Sequence, residues 1–219
     1  MLANLNIVDC GNADILIIMD ESGSVGSDHF NTMKTFIGDV VRGLNSVFFR
    51  FSVITYSTSA RKIFGFLDFN NINAIMTSIE QIQYLSGGTR TGRALEYARV
   101  SIFNTKRADS AGIVILFTDG MSGNSQNTKD EAALLRNEGV RIFSIGVGSG
   151  PKIEELQSIA SSPSDEHVFQ VSSFSALSHI LNAVQTRTCQ GIFGEKHSLC
   201  QNRLTIIVLK FSLHISETY

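Results

Sequence analysis

The 219-residue chain has no apolar run long enough to cross a bilayer. Its most apolar stretches, residues 15–19, 113–117 and 204–209, fall far short of the roughly 20 residues a spanning helix needs. Basic charge is not in excess. Lys and Arg number 18 against 20 Asp and Glu, a net charge of -2, which leaves no positive surplus to follow a phosphate backbone. No nucleic-acid role is therefore expected. The three cysteines, Cys10, Cys189 and Cys200, show no CxxC spacing, which removes zinc-ribbon and thioredoxin-like readings. Glycine has no triplet period, so no collagen helix lies in this segment. The first ten residues carry no basic region and no sustained apolar core, so they are not expected to be a signal peptide. No Asn-x-Ser/Thr acceptor, GxxxxGK[ST] loop, HExxH pair or GxSxG elbow occurs, and the five histidines are scattered. A GxGxxG fingerprint starting at Gly146 fails because position 151 is Pro.

What is present is globular composition, 43% hydrophobic and 17% charged. Short apolar runs over 14–20, 50–56, 63–67, 112–118, 140–147 and 167–171 read as buried strands. Between them apolar residues recur every three or four positions. Phe30, Met33, Phe36, Ile37, Val40, Val41, Leu44 and Val47 make one helical stripe over 27–47. Ile72, Ile75, Met76, Ile79 and Ile82 make a second, and Leu95, Ala98 and Ile102 a third. Thr128 with Glu131 has the capping-box pattern for a fourth helix that stops at Gly139. Pro151 opens a fifth with Ile153, Leu156 and Ile159 inward, and Phe174, Leu177, Ile180, Leu181 and Val184 define a sixth.

Alternating strands and helices imply an α/β fold, a doubly wound, mostly parallel sheet with helices on both faces. The second and third strands are joined by too few residues for a parallel crossover, so one strand is expected to be an antiparallel edge. The periodic pattern divides the chain into a lead-in, residues 1–12, a domain, 13–188, and a tail, 189–219. Cys10 and Cys189 bracket that domain and are the favoured disulfide pair. Cys189 with Cys200 competes, and three free thiols is the remaining arrangement.

In such sheets ligands bind beyond the carboxyl ends of the strands. The first strand ends in Asp20-Glu21-Ser22-Gly23-Ser24 and the fourth in Thr118-Asp119-Gly120. The segment Gly87-Gly88-Thr89-Arg90-Thr91-Gly92 opens the third helix and can reach the same rim. Together they offer carboxylates and hydroxyls with no His or Cys, a donor set for a hard cation such as Mg2+, with Mn2+ also fitting. Metal affinity is then expected to fall near a carboxylate pKa, roughly 4, whereas a loss near pH 6.5 would point to histidine. Thr91 is read as a helix cap or a support for Thr89. Arg90, Arg93, Arg99, Lys106 and Arg107 are read as a solvated basic face, with contact to an acidic partner as the alternative.

The Asp-x-Ser-x-Ser at the end of the first strand, followed by Thr89 and then Asp119 in a Thr-Asp-Gly turn, resembles the metal-ion-dependent adhesion site of von Willebrand factor type A domains. The resemblance covers about residues 10–188 and implies a six-stranded Rossmann-like sheet of order 3-2-1-4-5-6. It implies that Ser22, Ser24 and Thr89 are direct or near-direct metal ligands and that Asp20 and Asp119 act largely through waters. A vertex is left for a carboxylate from a protein partner, so the chain would be a non-enzymatic adhesion module. Glu21 adds negative charge here, facing either solvent or the incoming ligand. The cysteine placement resembles extracellular matrix members such as matrilins and collagen VI chains. An extracellular location and a protein ligand, collagen or another matrix or cell-surface protein, follow as expectations. Two other readings remain. An Asp at a first-strand end can be the nucleophile of a Mg2+-dependent hydrolase or phosphotransferase, although Ser22 stands where that chemistry wants a second acid. The domain can also be structural, with a vestigial metal site.

Overall fold

A computed structural model describes residues 12–193. Six strands, β1 (Asn12–Asp20), β2 (Phe49–Tyr56), β3 (Ala60–Phe64), β4 (Ser110–Thr118), β5 (Val140–Val147) and β6 (Val168–Val171), form one sheet of order β3-β2-β1-β4-β5-β6. All neighbours are parallel except β2 and β3. The expected fold and strand order are therefore those observed. β1 lies at the centre and is buried on both faces, which is why its sequence is apolar almost without interruption.

Alternation along β1 sorts the core into two layers. Ala13, Ile15, Ile17 and Met19 pack with α1 (Gly26–Gly43), α2 (Ile72–Glu80) and α7 (Leu181–Phe193). Leu16 and Ile18 face the other way, toward α3 (Thr91–Tyr97), α4 (Ser125–Asn137) and α5 (Ile153–Ile159). A short α6 (Ser164–His167) precedes β6. Burying one Leu, Ile or Phe contributes about 1.5–3 kcal/mol, so these layers supply most of the drive to fold.

Several element ends differ from the sequence pattern for local reasons. α1 stops at Gly43, and a turn through Asn45 and Ser46 leaves Val47 93% exposed rather than on the stripe. β3 begins at Ala60 after a three-residue loop, so Leu67 lies beyond it and is exposed. α4 is capped by Asn124, whose side chain accepts from Asn127 N at 3.0 Å, not by Thr128. Thr128 is a buried residue inside that helix, its hydroxyl donating to Asn124 O. Gly139 does end the helix, with φ +81°. In α5, Leu156 and Ile159 are buried but Ile153 is exposed. The sixth helical pattern opens as a 3-10 segment, Phe174–Ile180, before α7. α3 continues through a π turn, Ala98–Ile102, that keeps Ala98 and Ile102 inward.

The strand registers decide where polar ends meet. Asp20 pairs with Tyr56, Met19 with Phe117, and Thr118 with Gly146. Asp20, Tyr56 and Thr118 are thus brought to one rim. At the other end of β1, the fully buried Asp14 accepts from the Arg107 backbone N–H at 2.7 Å, from its guanidinium at 2.9 and 2.6 Å, and from the Ser110 hydroxyl at 3.0 Å. The same guanidinium donates to Ala13 O and Phe48 O. The favoured Cys10–Cys189 pairing and its competitor with Cys200 each involve a residue outside the described ones, as do the lead-in up to residue 11 and the tail from 194.

Candidate metal centre

Asp20 ends β1 with its side chain fully buried. Its Oδ1 accepts from the Ser22 N–H at 2.8 Å. Its Oδ2 accepts from the hydroxyls of Thr118 at 2.9 Å and Tyr56 at 3.1 Å. The Thr91 hydroxyl donates in turn to the Tyr56 oxygen at 3.4 Å, so Thr91 supports Asp20 from beneath rather than capping its helix. Tyr56 and Thr118 are partners of Asp20 that the sequence motif does not single out. Both carry a signal in hindsight, a hydroxyl at the last position of a strand neighbouring β1.

Past Asp20 the chain turns sharply. Ser22 and Ser24 bring their hydroxyl oxygens to 3.1 Å, and the Ser24 hydroxyl donates to Asp119 Oδ1 at 2.8 Å. Of the five expected residues, Ser22, Ser24 and Asp119 are therefore joined in one oxygen cluster, and Asp20 is tied to it through the Ser22 N–H. Thr89 reaches the same rim by its backbone. Its carbonyl accepts from Gly123 N at 2.7 Å, and the adjoining Arg90 N donates to Ser57 O at 2.8 Å. Among the described residues no hydrogen bond links the Thr89 hydroxyl to the other four. The loop before it is fastened to the cluster at two points. Gly23 N donates to Gly87 O, and the Tyr84 hydroxyl to Ser22 O, each at 2.8 Å. Gly87 has φ +134°, and a Cβ there would meet the Ser57 side chain at 2.7 Å, so this crossing needs glycine. On the far side Glu155 holds the Asp119 loop by accepting from Ser122 N and the Ser125 hydroxyl. A Cβ on Gly150 would run into the Asp119 carbonyl.

No lysine or arginine among the described residues pairs with Asp20 or Asp119. Burial pushes Asp20 up to about 6, opposed by its bonds from Ser22 and Thr118. Burial also raises Asp119, with the Ser24 hydroxyl bond opposing. A fall in metal affinity near pH 6, rather than near 4, is therefore the outcome expected, and it no longer separates carboxylate from histidine. The expectation for Glu21 is corrected. Adjacent positions point to opposite faces, so Glu21 turns away from Asp20. It is buried against Arg61, whose guanidinium donates at 2.9 Å, and against the Thr55 hydroxyl at 3.1 Å.

The residues fit a hard divalent ion. An octahedral cation with oxygens at about 2.0–2.1 Å holds neighbouring oxygens about 2.9 Å apart. The Ser22–Ser24 and Ser24–Asp119 separations, 3.1 and 2.8 Å, bracket that spacing. Among the described residues no three His, Cys, Asp or Glu side chains converge, and the donors this rim could offer are hydroxyls and two carboxylates. Ser24 is exposed and Asp119 half-buried, which leaves the cluster open to solvent.

The sequence profile of the von Willebrand factor type A domain matches residues 14–183. The chain belongs to this family. Its relatives are extracellular matrix members. Chicken (Gallus gallus) matrilin-1 is 33% identical over 80% of this chain and 36% of its own length. The human (Homo sapiens) collagen alpha-1(XXI) chain is 28% identical over 88% of this chain and 20% of its own. The chain thus spans little more than a third, or less, of these curated relatives. A solved structure of proximal thread matrix protein 1 from the mussel byssus, with a zinc-occupied MIDAS motif, is 37% identical. It superposes with a TM-score of 0.77 over 84% of this chain and 47% of that one. As a type A domain the chain shares its fold with matrix proteins. No helix among the described residues is long and apolar enough to cross a membrane. The basic residues near α3 are not simply a solvated face: Arg99 bonds Glu131, while Lys106 and Arg107 donate to backbone carbonyls and Asp14.

Proposed function

We propose that the chain is a metal-dependent adhesion module of the extracellular matrix that binds a protein ligand and performs no catalysis. The observation that carries this reading is the rim where the oxygens of Ser22, Ser24 and Asp119 lie at octahedral spacing, with Asp20 bonded to the Ser22 N–H and no lysine or arginine among the described residues paired with either carboxylate. Ser22, Ser24 and Asp119 would hold a divalent ion, Mg2+ by donor type, with Thr89 reaching it from the adjoining loop. Asp20 is fixed by the Ser22, Thr118 and Tyr56 donors, so it orients the loop and supplies charge from below. A bound divalent cation supplies an acceptor vertex for a carboxylate oxygen of the partner. Two protein carboxylates balance its charge, so a third acid is not repelled. The oxygen-only donor set supports Mg2+ or Mn2+. The zinc in the thread protein's MIDAS motif supports a divalent site in this family.

The names of the relatives, a matrilin and a collagen chain, support a matrix protein as partner and an extracellular location. The test is binding of the full chain to immobilised collagen and to other purified matrix proteins. Binding in Mg2+ that disappears with EDTA, and in Asp119→Ala, is expected. Binding indifferent to EDTA would overturn the metal dependence and leave a structural domain.

A further inference from the structure

Three carboxylates belong to the segments at the carboxyl end of β1: Asp20 and Asp119 at the candidate metal centre, and Glu21, next to Asp20 in sequence but facing Arg61 and Thr55. Left alone they would hold three negative charges against a divalent ion. The loaded site would then be net negative and would repel a partner's acid group. Arg61 alters that count. It comes from β3, directly across from Thr55 in the hairpin, and its guanidinium donates to Glu21 Oε2 at 2.9 Å. Glu21 is 2% exposed, so the pair is formed largely out of water and is weakly screened on its carboxylate side. The same guanidinium nitrogen donates to Gln83 O at 3.0 Å, on the segment leading to Thr89. Arg61 Nε is buried and has no partner among the described residues, so the side chain is committed to Glu21 despite an unmade bond.

We propose that Arg61 sets the electrostatic specificity of the metal centre. By neutralising Glu21 it fixes the site at two negative charges, so that the site loaded with a divalent ion is neutral and accepts an anionic ligand, a carboxylate. This rests on the metal-centre reading above. Arg61 touches neither the ion nor the ligand; it acts through Glu21. Its effect on the two binding steps must have opposite signs. Removing its charge strengthens the pull on the cation and weakens the attraction of the loaded site for an acid. A merely structural role, holding Glu21 and Gln83 in place, would weaken both.

The experiment uses the full chain, Mn2+ as the metal and acetate as the carboxylate. Mn2+ affinity is read by calorimetry and acetate binding by paramagnetic relaxation of its methyl protons. Arg61→Gln is expected to bind Mn2+ on the order of tenfold more tightly and acetate several-fold more weakly, the scale of one unit charge acting over several ångströms near a surface. Glu21→Gln is expected to do the reverse. The double variant Glu21→Gln with Arg61→Gln keeps two negative charges and should return to wild-type behaviour on both readouts. If Arg61→Gln fails to fold, Glu21→Gln alone still carries the opposite-sign test. Weakening of both steps in either single variant, or no change in either, overturns the charge-setting role while the metal centre stands. A wild-type chain that takes up no Mn2+ overturns the centre itself and this inference with it.

Discussion

The two ends of β1 each bury an aspartate, and they treat it in opposite ways. Asp14, at the amino end, receives an arginine through two guanidinium bonds, a backbone N–H and a serine hydroxyl. Asp20, at the carboxyl end, is equally buried but receives only neutral donors. A buried carboxylate with its own cation is part of the scaffold. One without a lysine or arginine partner, held above its ordinary pKa beside the exposed Ser24, is on the proposed reading the one a cation from solution would meet. The contrast teaches that burial and hydrogen-bond count do not separate the two ends; the missing counter-charge does, and the proposed metal centre rests on it.

The largest expected effect breaks the amino-end half of the comparison. Asp14→Asn leaves the partly buried Arg107 guanidinium without its counter-charge, a loss of about 3–5 kcal/mol. Urea denaturation should show it regardless of Mg2+. The same substitution at the other end should have the opposite sign. Asp20 in the metal-free fold titrates at about 6, against roughly 3.9 in an unfolded chain. Between those values the folded state binds more protons, so the stability this group contributes is full below about pH 4 and is lost as pH rises through 6. Asp20→Asn should therefore stabilise the metal-free domain near pH 7.5 by up to about 3 kcal/mol, a gain that shrinks toward zero at pH 4. Denaturation in EDTA at both pH values checks it. Metal affinity follows the same proton: below about pH 6 it should fall as Asp20 loses the charge it supplies to the site. The smallest effect sharpens the comparison. Tyr56→Phe removes one neutral donor from Asp20 at a cost of about 1 kcal/mol and should weaken Mg2+ binding several-fold.

Much of this was legible before the fold was seen. The strand pattern, the short β2–β3 connection and the carboxyl-end rule put Asp20 and Asp119 at one rim, and the registers put them there for the stated reason. What the sequence hid were partners far away along the chain. Arg107 reads as one of several surface cations, yet it lies 93 positions from the Asp14 it locks. Arg61 belongs to no motif in the sequence, and only the antiparallel register carries it to Glu21. Tyr56 is counted as apolar because its ring fills the core, while its hydroxyl serves Asp20. Element ends were misread where two residues compete for one cap, as Asn124 and Thr128 do. Thr89 is the residue whose placement the sequence and the fold support least equally: its backbone is clamped at the rim, its hydroxyl is not in the cluster.

The most direct test is a calorimetric Mg2+ titration of the full chain at pH 7.4, repeated with Asp20→Ala and Asp119→Ala. The account predicts one ion bound per wild-type chain and no binding heat in either variant, with both variants still folded. Unchanged heats in both, or a wild-type chain that binds nothing, would contradict it.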